Sequence, residues 1–220
     1  MGELGLTGRS SEHGKFGRVG KLIVGDASLQ QNQSHLTKVD VSISARQANM
    51  MALALIPIFS VMVLAPYWLI WGGIAFVGDV LAVLRPAIVI PVFVASILVH
   101  EALHGIGFVW FGRLPWQAVR FGFQWQALAP YAHCTAPLSA AAYRGAVLLP
   151  GVVLGVIPAL ISVIFGLGGL AIYGIIMLMA AGGDFVIFWV IRRVPDSATI
   201  LDHSERPGCW ILTKHTVNGD

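Results

Sequence analysis

The chain has 220 residues, of which 56% are hydrophobic and only 11% charged, and it carries a formal charge of +3. Soluble domains carry about 25% charged residues, so this composition excludes an ordinary soluble protein and indicates an integral membrane one. The small net charge gives no ground for nucleic-acid binding, and the two cysteines, Cys134 and Cys209, form neither a disulfide framework nor a zinc-finger spacing.

Residues 1–47 read as a cytoplasmic N-terminal segment, polar and without a visible secretory signal. Met1–Gly14 is expected to be disordered, and Leu22–Val24 and Val39–Ile43 to form short strands. Residues 48–193 read as a transmembrane domain. Ala48–Val77 carries no charge and supplies a first span, with Tyr67, Trp68 and Trp71 as an aromatic belt and Gly78–Arg85 as a polar connection. Pro86–Phe111 is the second span, its proline suited to a first helical turn. Leu114–Arg144 is too polar to span, and Val119–Phe123 with Gln126–Ala132 forms a short interfacial β-hairpin. Gly145–Phe165 and Leu170–Ile191 are the third and fourth spans, split at Gly166–Gly169. Residues 194–220 are a polar cytoplasmic tail. The expected fold is an all-α membrane protein of about four transmembrane helices.

Four spans place both termini on one side. Arg and Lys residues cluster in the N-terminal segment, at Arg113, Arg120 and Arg144, and at Arg192 and Arg193, so that side is read as cytoplasmic. The expected location is multi-pass in the plasma membrane, with the lipid bilayer as surroundings and both cysteines as free thiols.

Within the second span stands His100-Glu101-Ala102-Leu103-His104. Residues four apart share a helix face, so the two imidazoles can hold one Zn²⁺. Glu101 projects about 100° round the helix, where it can act on water as a general base without ligating. Ionisable groups are costly inside a membrane and usually mark function.

A catalytic zinc usually takes three protein ligands. His104 lies nine residues before Arg113 and Asp184 eight before Arg192, so the two sit at similar depth from the same face. Gly182 and Gly183, with Gly105 and Gly107, would let helices approach closely enough for Asp184 to act as the third ligand. His133 and Cys134 stay open as alternatives, Asp202 and His203 are further rivals, and Asp79 lies on the opposite side.

On these residues, together with Pro130–Cys134, Leu149-Pro150-Gly151, Pro158, Gly182-Gly183-Asp184 and the tail Asp202-His203 with Pro207-Gly208-Cys209, the chain resembles the putative zincin peptidase family. That family is related in layout to site-2-protease-like membrane metalloproteases. The resemblance implies a zinc-dependent membrane protease with His100, His104 and Asp184 as ligands and Glu101 as catalytic base, cleaving a protein or peptide substrate. The aspartate setting differs from the Leu-Asp-Gly of site-2 proteases, and no PDZ-like module is present. The alternatives are a non-proteolytic metal-binding protein, which has no need of Glu101, and a structural membrane protein whose polar residues only join helices. Four spans without an internal repeat make a poor transporter.

Overall fold

The computed structural model describes residues 36–125, 129–203 and 206–214. The disorder expected for Met1–Gly14 and the strand expected at Leu22–Val24 lie outside the described residues. The chain divides into two compact units. In the smaller, residues 1–37 with 213–220, Thr213 Oγ1 donates to the Thr37 carbonyl at 3.1 Å. The larger comprises residues 38–212.

Strand β1 (Leu36–Asp40) ends where Asp40 Oδ1 accepts the Ser42 amide at 2.8 Å, an Asx turn that halts the extended run before Ile43. Helix α1 (Ala45–Trp71) opens on a capping box, in which the Ser44 hydroxyl accepts the Gln47 amide and the Gln47 side chain accepts the Ser44 amide. It ends at Gly72, whose φ of 78° is open to glycine but strained for other residues. The first span therefore stops at Trp71, not Val77. The expected polar connection is instead part of a short apolar helix, α2 (Gly73–Val83). Asp79 on α2 accepts the Gly168 amide at 3.0 Å and so caps a later helix. Tyr67 is fully buried and donates to the Gly166 carbonyl at 2.8 Å, which makes it a packing residue and not part of an aromatic belt.

Helix α3 (Pro86–Gly112) carries the His-Glu-Ala-Leu-His run. Pro86 sits in the first turn, and Arg113 closes the helix in the left-handed region at φ 52°. The hairpin follows as β2 (Val119–Gln124) antiparallel to β3 (Ala129–Cys134), with Val119 opposite Cys134 and Gln124 opposite Ala129. Its second strand runs two residues further than expected, to Cys134.

The third span begins at Ala140, five residues earlier than expected. Ser139 caps α4 (Ala140–Pro150) by accepting the Ala142 amide. A π-helical turn, Gly151–Val156, leads into α5 (Ile157–Phe165). Pro158 has no amide to close a regular α-turn, so the hydrogen-bond ladder must be rearranged around it. The fourth span is bent. Helices α6 (Gly168–Ala180) and α7 (Gly182–Ile191) meet at 49° across Ala181.

Among the described residues, α1, α3 and the α4–α5 run are long and apolar enough to cross a membrane, and the α6–α7 pair makes a fourth if its two bent halves form one span. Many large apolar side chains face outward, including Leu69, Ile74 and Leu98, as expected of a protein that meets lipid rather than water.

The all-α expectation needs correction. The C-terminal segment is not a loose tail, for β5 (Thr199–Asp202) and β6 (Cys209–Lys214) pair antiparallel. Strand β5 also pairs with β4 (Leu138–Ser139), giving the sheet order β1-β6-β5-β4. Phe108, Tyr143, Ile191, Ile200 and both cysteines form a core that locks this sheet to the ends of α3, α4 and α7.

Candidate metal centre

Two turns of helix bring three donors together. His100 and His104 lie on one face of α3, their ring centroids 4.9 Å apart. Asp184 lies in the first turn of α7, where the helix dipole favours a carboxylate. His100 Nε2 is 3.1 Å from Asp184 Oδ2, and His104 Nε2 is 3.3 Å from Asp184 Oδ1. One ligand atom from each residue lies within 4.8 Å of the others, and among the described residues this is the His/Cys/Asp/Glu group that satisfies that test. The three side chains are 12%, 11% and 16% exposed.

Glycines position the site. At Gly107 a Cβ would lie 2.6 Å from the Ala146 backbone, so its absence lets α3 and α4 touch. That contact sets His104 Nδ1 3.1 Å from the Ala146 carbonyl. A carbonyl only accepts, so Nδ1 carries a proton and Nε2 is the ring nitrogen that faces Asp184. At Gly105 a Cβ would strike the Phe121 ring at 2.6 Å, so this glycine seats β2 on α3. Gly182 packs on Ala52 of α1. Gly151 of the π-turn packs on Ala181 and Phe185, which flank Asp184 on either side. Gly183 has nothing within 4 Å of a Cβ and does not serve the close approach expected of it. Arg144 on α4 donates to the carbonyls of Ile191 and Val194, both at 2.9 Å, and pairs with Asp196. It thereby anchors the end of the helix whose first turn bears Asp184.

The donor set can hold a divalent cation. Two imidazole nitrogens and a carboxylate are an ordinary zinc complement. Asp184 Oδ2 is buried and accepts no aligned hydrogen bond, although His100 Nε2 is close by. Buried carboxylate oxygens are normally satisfied, and lone-pair atoms converging without alignment suit a shared ion better than one another. Glu101 stands beside this group, and the Ala132 amide of β3 lies against its carboxylate.

The rival residues are used elsewhere. Asp202 Oδ2 accepts His133 Nδ1 at 2.9 Å and the Cys134 amide at 3.1 Å, while its Oδ1 accepts the Tyr143 hydroxyl at 2.7 Å. The Asp202 hydrogen bond outweighs burial and raises the His133 pKa above its ordinary value. Burial raises both thiols, Cys134 upward and Cys209 to about 12. His203 Nδ1 accepts the Arg206 amide, and Asp79 caps α6.

Sequence reasoning missed the Ala146 carbonyl, since a backbone acceptor has no signature in residue type. It also missed Asp202 as the centre of a hydrogen-bonded network, because residues 133, 143 and 202 meet only through the fold.

A family model described as putative zincin peptidase matches residues 93–199, which include all three donors and Glu101. The Asp202–Cys209 tail quoted for the resemblance lies beyond that match. No curated protein and no solved structure matches the chain.

Proposed function

Since the chain belongs, through residues 93–199, to the putative zincin peptidase family, we propose that it is a membrane-embedded zinc metallopeptidase cleaving membrane or membrane-proximal proteins. The observation that carries this reading is the convergence of His100, His104 and Asp184 with a general-base carboxylate one residue from the first histidine. His100, His104 and Asp184 would hold the zinc. When bound, zinc supplies a Lewis acid that acidifies water and polarises a peptide carbonyl.

The chain's own residues do the rest. Glu101 accepts a proton from the attacking water and delivers it to the leaving amine. The Ala132 amide steadies the Glu101 carboxylate against β3. The Ala146 carbonyl fixes the His104 ring through Nδ1. The membrane-length helices keep bulk water away from this depth, which strengthens every electrostatic interaction there. A helical substrate must locally unwind to expose a carbonyl, and the β2–β3 hairpin beside Glu101 suits an extended segment. The placement of Arg and Lys supports both termini on the cytoplasmic side, in a multi-pass protein of the plasma membrane.

A polar cluster that merely joins helices is the rival reading, and the two histidine–aspartate approaches favour it. The unaligned Asp184 Oδ2 and the neighbouring Glu101, which helix packing does not require, weigh against it. Metal content decides between them. Detergent-purified wild type should hold close to one zinc per chain, with Glu101→Gln retaining it while losing cleavage. A well-folded chain without metal would leave the packing reading in place.

A further inference from the structure

A groove of about 520 Å³ opens beside the candidate centre. Two of its lining residues touch the site's own framework. Ala132 puts its amide on Glu101, and Ile187 lies one helical turn beyond Asp184. The groove lies between the hairpin and the C-terminal strands, with Ala132 as the lining residue that links it to Glu101.

Its lining is mixed. Phe123, Trp125 and Tyr131 are its exposed aromatic members, at 44%, 77% and 45%. Phe123 and Trp125 stack edge to face at 4.8 Å, and Tyr131 lies across Gly122, where any Cβ would strike its ring. His133, two residues from Tyr131 on the same strand, and Arg206 are polar members. Asp202 also lines the groove, but three donors already occupy its oxygens. Its charge is spent inward on His133, the Cys134 amide and Tyr143. Arg206 is 59% exposed and pairs loosely with Asp40, at 3.6 Å. The groove thus offers hydrogen-bond donors on His133 and Arg206 beside aromatic surface suited to a flat apolar side chain.

We infer that this groove binds an extended peptide segment, seating a large apolar side chain on Phe123, Trp125 and Tyr131 and an acidic group on His133 and Arg206. With Nδ1 committed to Asp202, His133 meets the segment through Nε2, and Asp202 is a positioning residue that fixes the ring. The inference rests on the metallopeptidase reading for the fate of the bound segment, not for its binding. It assigns a substrate preference: an aromatic or large aliphatic residue beside a glutamate or aspartate.

The test uses the full chain carrying Glu101→Gln in detergent. The probe is a fluorescein-labelled heptapeptide with one phenylalanine followed by glutamate, and the readout is fluorescence anisotropy, with and without chelator. His133→Asn keeps an amide donor near Nδ1 for Asp202 but removes Nε2. It should weaken binding about tenfold, the scale of one hydrogen bond to a charged group, with the chain still folded and bound metal unchanged. Arg206→Gln should act similarly and, being exposed, leave folding intact. Glutamine in place of the peptide's glutamate should cost as much, and should cost less in Arg206→Gln than in the parent. Serine in place of its phenylalanine should also weaken binding. No binding by the parent, or binding unchanged within about twofold across both variants and both altered peptides, overturns the inference. Failure of the metallopeptidase reading shows separately, as absent zinc and absent cleavage in the chain with Glu101 intact, while the anisotropy stays readable.

Discussion

His104 donates its Nδ1 proton to the carbonyl of Ala146, 3.1 Å away across the contact between α3 and α4. The bond links a side chain in one span to the backbone of the next. It commits Nδ1 to the carbonyl and leaves Nε2 as the nitrogen that faces Asp184 and can ligate a metal. The metal-binding readiness of the site is therefore a property of how two helices pack.

The Gly107 contact makes this testable. Any side chain there must push back the Ala146 backbone, which cannot rotate away as a side-chain tip can. Gly107→Ala should weaken zinc affinity by about tenfold to a hundredfold, the usual scale for loss of a supporting hydrogen bond. Competition with a fluorescent zinc chelator measures it. Gly183→Ala, with open space around its Cβ, should leave affinity unchanged in the same assay.

Asp184 separates metal binding from helix packing. Asp184→Asn preserves shape and removes the charge. Zinc per chain, read by inductively coupled plasma mass spectrometry, should fall from near one to near none. Under the packing reading the change should leave metal content unaltered, since none would be bound.

Arg144 ties α4 to the end of α7 through two carbonyls and Asp196. Arg144→Ala leaves those carbonyls without their donor. It should destabilise the chain by about 1–3 kcal/mol, read as a lowered Tm in detergent. Asp196 is 83% exposed, so Asp196→Ala should cost far less.

The His133–Asp202 pair predicts a pH dependence of defined sign. Asp202 raises the His133 pKa in the folded state, so the folded chain holds that proton more tightly than the unfolded one. The resulting stabilisation is fully present below the unfolded histidine value of about 6.5 and is lost as pH rises through the folded value. The Tm gap between wild type and His133→Asn should therefore be largest under acidic conditions and shrink toward alkaline pH. A gap that grows with pH would contradict the pairing.

Both thiols should be inert in the folded chain. With the Cys209 pKa pushed up to about 12, about one molecule in ten thousand carries the thiolate at pH 8. Cys134 is likewise buried and raised. Maleimide labelling at pH 8 should be near zero until denaturant is added, and then reach both cysteines.

The sequence by itself determined those features whose physics is local or one-dimensional. A 3.6-residue period puts His100 and His104 on one face whatever surrounds them, and uncharged runs of membrane length must become helices because lipid offers the backbone no other partner. Counting residues from the basic ends brought Asp184 to the depth of His104 for the same reason, since rise per residue is constant. Only the tertiary structure decided what depends on meetings between distant segments. Asp202 could be a ligand or a bystander until the fold surrounded it with His133, Cys134 and Tyr143. The supposed tail became sheet because Leu138 and Ser139 lay ready to pair with β5. The 49° bend across Ala181 is seen only in the fold, since a residue's type does not record its distant neighbour. The carbonyl that orients His104 belongs to an alanine, and Ala146 acquired that role when a missing Cβ at Gly107 let two helices close to contact.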